Sequence, residues 1–143
     1  MTGCILKISK LRNYKKIQFT FSNLNFINLK YMQRIAMLGS GFIGRFYAEA
    51  LHGQRSKDKV IAIYARNEES AKKFASDYNC SIWSSEMETV ISHPEVNMVC
   101  IALPNNVHEE AVNLCVKHKK NVICTKPLAR NAEEAFRMMQ AVE

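Results

Sequence analysis

Residues 39–44, Gly39-Ser40-Gly41-Phe42-Ile43-Gly44, fit the pattern G-x-G-x-x-G and stand between two periodic segments of different kind. The run RIAML at 34–38 is apolar and short, as a buried strand is. After the glycines, Ile43, Phe46, Tyr47, Ala50 and Leu51 recur at helical spacing, and Gly53 stops the pattern. A glycine turn joining a strand to a helix has a specific use in parallel α/β sheets. Gly39 lets the chain turn tightly, Gly41 lets backbone approach a ligand with no Cβ in the way, and Gly44 lets the helix press on the strand. The helix N-terminus supplies unpaired N–H groups and partial positive charge, so the ligand that suits the turn is a pyrophosphate.

The rest of the body repeats the alternation. KVIAIYA at 59–65 reads as a strand buried on both faces. Asn67 caps a following helix whose inward stripe is Ala71, Phe74, Ala75 and Tyr78, with Glu68 and Glu69 in its first turn. SIW at 81–83 is a short third strand, and a brief helix over 85–92 ends at His93-Pro94. MVCIAL at 98–103 is a fourth strand that stops at Pro104. A helix from Val107 follows, with Val107, Ala111, Leu114 and Cys115 on one face. NVIC at 121–124 is the fifth strand. The last helix starts near Asn131, with Ala132, Ala135, Phe136 and Met139 inward. Strands alternating with helices predict an α/β fold, a doubly wound parallel sheet of about five strands.

With 143 residues there is room for one ordinary domain. The formal charge of +7 belongs mostly to the front, where residues 1–32 hold six Lys and Arg and no acid, leaving +1 for the rest. Residues 1–32 are expected to be a basic extension, disordered or adventitious, with targeting and a nucleic-acid arm as lesser alternatives. IQFTF at 17–21 alternates like a strand but has no evident hairpin partner, and Met32 would make a natural start. The near-neutral body carries no basic stripe, so nucleic acid is not an expected partner.

Five cysteines form no C-x-x-C pair, so neither a zinc site nor a disulfide framework is expected. Cys100, Cys115 and Cys124 fall among apolar residues as small buried hydrophobes, which points to a reducing, cytoplasmic setting. No apolar stretch approaches the ~20 residues of a membrane span.

An acid that holds the adenine ribose usually ends the second strand, ~20 residues past the glycines. Ala65 stands at that place and Arg66 follows it. With no carboxylate to repel a 2′-phosphate, and a guanidinium able to pair with one or stack on adenine, NADP(H) is expected over NAD(H).

RIAMLGSGFIG, IALPNNVHEEAV and KNVICTKPLARNAEEA together resemble the N-terminal half of the glucose-fructose oxidoreductase, inositol dehydrogenase and rhizopine catabolism (Gfo/Idh/MocA) family, over residues 33–143. The family's T-P-N-x-x-H motif is matched by Leu103 to His108, and its E-K-P motif by Thr125-Lys126-Pro127, with Thr125 in place of the glutamate. The resemblance implies an NAD(P)-binding Rossmann domain, incomplete at its C-terminal end, from an oxidoreductase that moves hydride between a nicotinamide cofactor and a sugar, cyclitol or similar alcohol. A non-catalytic NADP(H)-binding or partner-interaction module is the alternative.

On this resemblance Gly39, Gly41, Phe42, Ile43, Gly44, Ala65, Arg66, Pro104, Asn105, His108, Lys126 and Pro127 are the cofactor-binding residues. Lys126 is the catalytic one: a cation there favours the negative charge that develops on a substrate oxygen. His108 is expected to cap the helix or position the cofactor. In the family a sixth strand and a substrate domain follow the last helix, so here the fifth strand is expected to be an exposed apolar edge open to self-association. A sugar or polyol substrate would then need a C-terminal domain supplied to this one.

Overall fold

A six-stranded sheet with helices on both faces carries the chain in the computed structural model, which describes residues 32–52 and 57–142 and the backbone of 6–7. The strands are β1 (Leu6–Lys7), β2 (Arg34–Leu38), β3 (Lys59–Tyr64), β4 (Ile82–Ser84), β5 (Met98–Ile101) and β6 (Asn121–Cys124). The helices are α1 (Phe42–His52), α2 (Glu68–Tyr78), α3 (Met87–Ser92), α4 (His108–Lys117) and α5 (Ala132–Val142), with a 3₁₀ turn at Asn105–Val107 before α4. In space the strands run β1-β6-β5-β2-β3-β4, with β2 to β6 all parallel. From β2 the chain steps outward to β3 and β4, then returns to place β5 on the other side of β2. The order therefore reverses between β2 and β5, where such sheets open a crevice at their carboxyl ends.

Two apolar layers hold the sheet. One face packs Ile35, Met37, Val60, Ile63 and Cys100 against Ala48 of α1 and Phe74 and Tyr78 of α2. The opposite face packs Leu38, Tyr64, Val99, Ile101 and Val122 against α3, α4 and Met138 of α5. Alternate residues of β2 thus serve different cores, which is why all of Ile35–Leu38 are at most 1% exposed.

The predicted elements appear with ends shifted by a residue or two, and Asn67 does cap α2, accepting from the Ser70 N–H at 2.8 Å. Three expectations change. Ile43 and Phe46 lie exposed on α1, whose buried residues are Gly44 and Ala48, because close contact with the strand needs small side chains. On α5 the buried residues are Glu134 and Met138, while Ala132, Phe136 and Met139 are exposed and Ala135 is half-buried. The outer side of β6 is not bare along its whole length: β1 pairs with it antiparallel, Leu6 opposite Cys124 and Lys7 opposite Ile123. The alternation at 17–21, the stop at Gly53 and the remainder of the basic extension lie outside the described residues.

Candidate functional site at the carboxyl ends of the strands

Gly39 leaves β2 with φ +111°, a conformation that side chains oppose, and its N–H donates to the Tyr64 carbonyl of β3 at 2.9 Å. A Cβ on Gly39 would collide with the Ala102 carbonyl just past β5. One on Gly44 would collide with the Gly39 carbonyl. Both glycines are therefore demanded by the fold itself.

Gly41 differs. A Cβ built there meets nothing within 4 Å, and its φ is outside the left-handed region. Neither backbone nor packing explains a glycine at this point. The Gly41 carbonyl accepts from the Arg45 N–H at 3.0 Å, which makes Gly41 the cap of α1. The N–H groups of the first turn have no intrahelical acceptor, and that turn contains no acid. Phe42 and Ile43 are exposed beside it. Open space, free donors and the positive end of a helix fit the doubly negative bridge of a dinucleotide.

A cleft of ≈ 340 Å³ has walls that include Tyr64 and Leu103, both neighbours of Gly39, with Arg66, Glu86, Pro104 and Val107. Ala65 is buried and ties β3 to β4 through its N–H, which donates to the Ser84 carbonyl at 3.3 Å. Arg66 is exposed on the cleft wall, just beyond the end of β3, as the glycine turn lies just beyond the end of β2. Burial holds the Tyr64 phenol above its usual range, so it stays neutral there. A larger groove of ≈ 500 Å³ runs along α4 and α5, but its Arg130 and Glu134 are already paired at 2.8 Å.

The other carboxyl ends close the site. Pro104 is exposed, Asn105 half-buried, and Lys126 and Pro127 exposed, the Lys126–Pro127 peptide being cis. The Ala102 N–H donates to the Leu38 carbonyl at 2.8 Å and the Thr125 N–H to the Ile101 carbonyl at 3.1 Å, so both loops leave the sheet in register with the glycine turn.

His108 begins α4, as the sequence indicated, but its ring is 1% exposed. It touches Leu103 and Leu128 carbonyls from inside the two loops and so is withheld from direct contact with a ligand in the crevice. The cleft-lining Tyr64, Leu103, Val107 and Glu86 were not among the residues expected to bind the cofactor; their position at strand ends or just beyond them was the available signal.

Cys80, Cys100, Cys115 and Cys124 are buried and unpaired. Burial pushes the Cys100 and Cys115 thiols up to about 12 and that of Cys124 to about 11, so they are inert apolar filling. Among the described residues, no three His, Cys, Asp or Glu side chains are grouped to hold a metal ion, and no helix is long and apolar enough to cross a membrane.

The profile of the oxidoreductase family with an NAD-binding Rossmann fold, Gfo/Idh/MocA, matches residues 33–143. An uncharacterised oxidoreductase of Escherichia coli is 38% identical over 72% of this chain and 31% of its own. The scyllo-inositol 2-dehydrogenase (NADP(+)) of Bacillus subtilis is 30% identical over 78% of this chain and 34% of its own. Among solved structures, levoglucosan dehydrogenase in complex with NADH superposes with a TM-score of 0.72 at 27% identity, over 78% of this chain and 32% of that one. The chain thus spans about a third of the length of the relatives it matches.

Proposed function

Because the chain belongs to the Gfo/Idh/MocA oxidoreductases and has their NAD-binding Rossmann fold, we propose that it binds NADPH in preference to NADH and serves hydride transfer with a sugar, cyclitol or related alcohol. The observation that carries the binding is Gly41, a glycine that nothing in the chain requires and whose missing side chain leaves room in front of free N–H groups. The Gly39–Gly44 turn and the start of α1 hold the pyrophosphate. Arg66 meets the ribose end, where Ala65 has no carboxylate to repel a 2′-phosphate. Pro104, Asn105 and Pro127 border the nicotinamide end.

The bound dinucleotide supplies the hydride acceptor or donor. Lys126, exposed on the loop after β6, holds its ammonium where negative charge develops on the substrate oxygen. The substrate class rests on the relatives, among them an inositol and a levoglucosan dehydrogenase.

Titration of the whole chain with NADPH and with NADH, followed by nicotinamide fluorescence, tests this reading. Saturable binding, tighter for NADPH, is expected. Arg66→Glu should weaken NADPH by at least ~tenfold and leave NADH within ~threefold, since one charge-assisted contact is lost. No saturation by either dinucleotide overturns the reading, and equal constants overturn the role of Arg66.

A further inference from the structure

The two nitrogens of the buried His108 ring face carbonyls on two different loops; a carbonyl only accepts, so the hydrogen bond that holds the second loop has the proton on Nδ1. Nε2 lies 2.8 Å from the Leu103 carbonyl and Nδ1 3.0 Å from the Leu128 carbonyl, with the Cys124 sulfur 3.3 Å from Nδ1. Leu103 directly precedes Pro104-Asn105, and Leu128 directly follows Lys126-Pro127.

These loops differ in what else restrains them. The first is anchored by the Ala102 N–H on the Leu38 carbonyl and by the Val107 N–H on the Pro104 carbonyl at 3.1 Å. The second is anchored at its ends, by the Thr125 N–H on the Ile101 carbonyl and the Arg130 N–H on a Glu134 oxygen at 2.7 Å. Between those ends Leu128 and Ala129 pack against the apolar core, and among hydrogen bonds of the described residues the contact from His108 to Leu128 is what joins the Lys126 loop to the body.

We infer that His108 is a positioning residue, a buried latch that fixes the Lys126 loop against the wall of the dinucleotide cleft. The inference rests on the dinucleotide reading for its purpose but not for its geometry. Rings on flat loops exposed to water would serve poorly here, since a buried hydrogen bond resists competition from solvent.

His108→Leu and His108→Gln in the full chain test it, by two readouts. Without ligand, hydrogen exchange at the amides of Thr125 and Arg130, the hydrogen-bonded ends of the loop, should quicken ~tenfold in His108→Leu, the equivalent of one lost hydrogen bond, with the amides of 35–38 unchanged. His108→Gln, which keeps a donor, should fall between His108→Leu and the unaltered chain. With ligand, His108→Leu should weaken NADPH ~tenfold but adenosine 2′,5′-bisphosphate less than ~threefold, because the latter lacks the nicotinamide end.

Unchanged loop exchange, or equal quickening in loop and core, overturns the latch. So does an equal loss for both ligands, and so does failure of both variants to fold, which would make the ring a requirement of the core. Failure of the unaltered chain to bind NADPH, with the loop exchange as expected, removes the dinucleotide reading and leaves the latch standing.

Discussion

A hydroxymethyl group added at Gly41 should separate binding from folding. Gly41→Ser places a good helix cap where the chain offers only open space, so stability should stay within ~0.5 kcal/mol. The same atoms occupy the room in front of the α1 donors, and NADPH affinity should fall at least ~tenfold. Gly39→Ser should do the reverse in order of severity, losing ~1–3 kcal/mol of stability because φ is +111° and the Ala102 carbonyl blocks the Cβ. Chemical denaturation beside a fluorescence titration reads both effects, and equal destabilisation by the two variants would end the claim that Gly41 is kept for a ligand. The G-x-G-x-x-G pattern already assigned Gly39 to the turn, Gly44 to helix packing and Gly41 to a ligand. The packing adds which atoms stand in the way, the Ala102 carbonyl at Gly39 and the Gly39 carbonyl at Gly44, and none at Gly41. His108 is a similar case: its place in a motif was readable, whereas the inward turn of its ring depends on carbonyls 5 and 20 residues away.

The start of α5 is set by polar reach more than by apolar pattern. Asn131 accepts from the Glu134 N–H at 2.9 Å, and a Glu134 oxygen accepts in return from the Arg130 N–H at 2.7 Å. This reciprocal box pulls Glu134 inward and turns Phe136 and Met139 toward water, against the expectation from periodicity alone. Side-chain and backbone hydrogen bonds from Arg130 hold the Glu134 carboxyl below its usual range. A depressed folded value means that the unfolded chain binds the proton first as pH falls. The pair's contribution is therefore present above the unfolded glutamate value of ~4.3 and lost as pH drops through the lower folded one. Glu134→Gln should flatten the fall of stability below about pH 4.5 and lower the plateau at neutral pH. Urea midpoints measured across pH 3–7 check this, and an unchanged acid limb in the variant would show that the pairing does not differ between folded and unfolded chains. By contrast α2 was legible to its cap, because Asn67 and the stripe Ala71, Phe74, Ala75 and Tyr78 favour the same face.

Alternation of strand and helix implied a parallel sheet, but no local pattern states that β5 returns to the side of β2 away from β3. That order comes from which faces can be buried together, and it creates the crevice. It also leaves the site divided: the glycine turn and Arg66 follow β2 and β3, while Asn105 and Lys126 follow β5 and β6. The short pairing of β1 with β6 was likewise invisible, because Leu6 and Lys7 carry no strand signal of their own and gain their place from an edge more than a hundred residues away. A ligand that spans both halves of the sheet must be released, at least in part, before either half can unfold. At free NADPH one hundred times its dissociation constant, linkage then adds ~2.7 kcal/mol. For a chain of this size that raises Tm by roughly 10 °C. Gly41→Ser at the same NADPH concentration should gain about half as much or less, since a tenfold weaker ligand contributes ~1.3 kcal/mol less. A shift below ~2 °C in the unaltered chain at that excess would mean that NADPH does not bind the folded chain selectively. An equal shift in both chains would place the ligand away from the glycine turn.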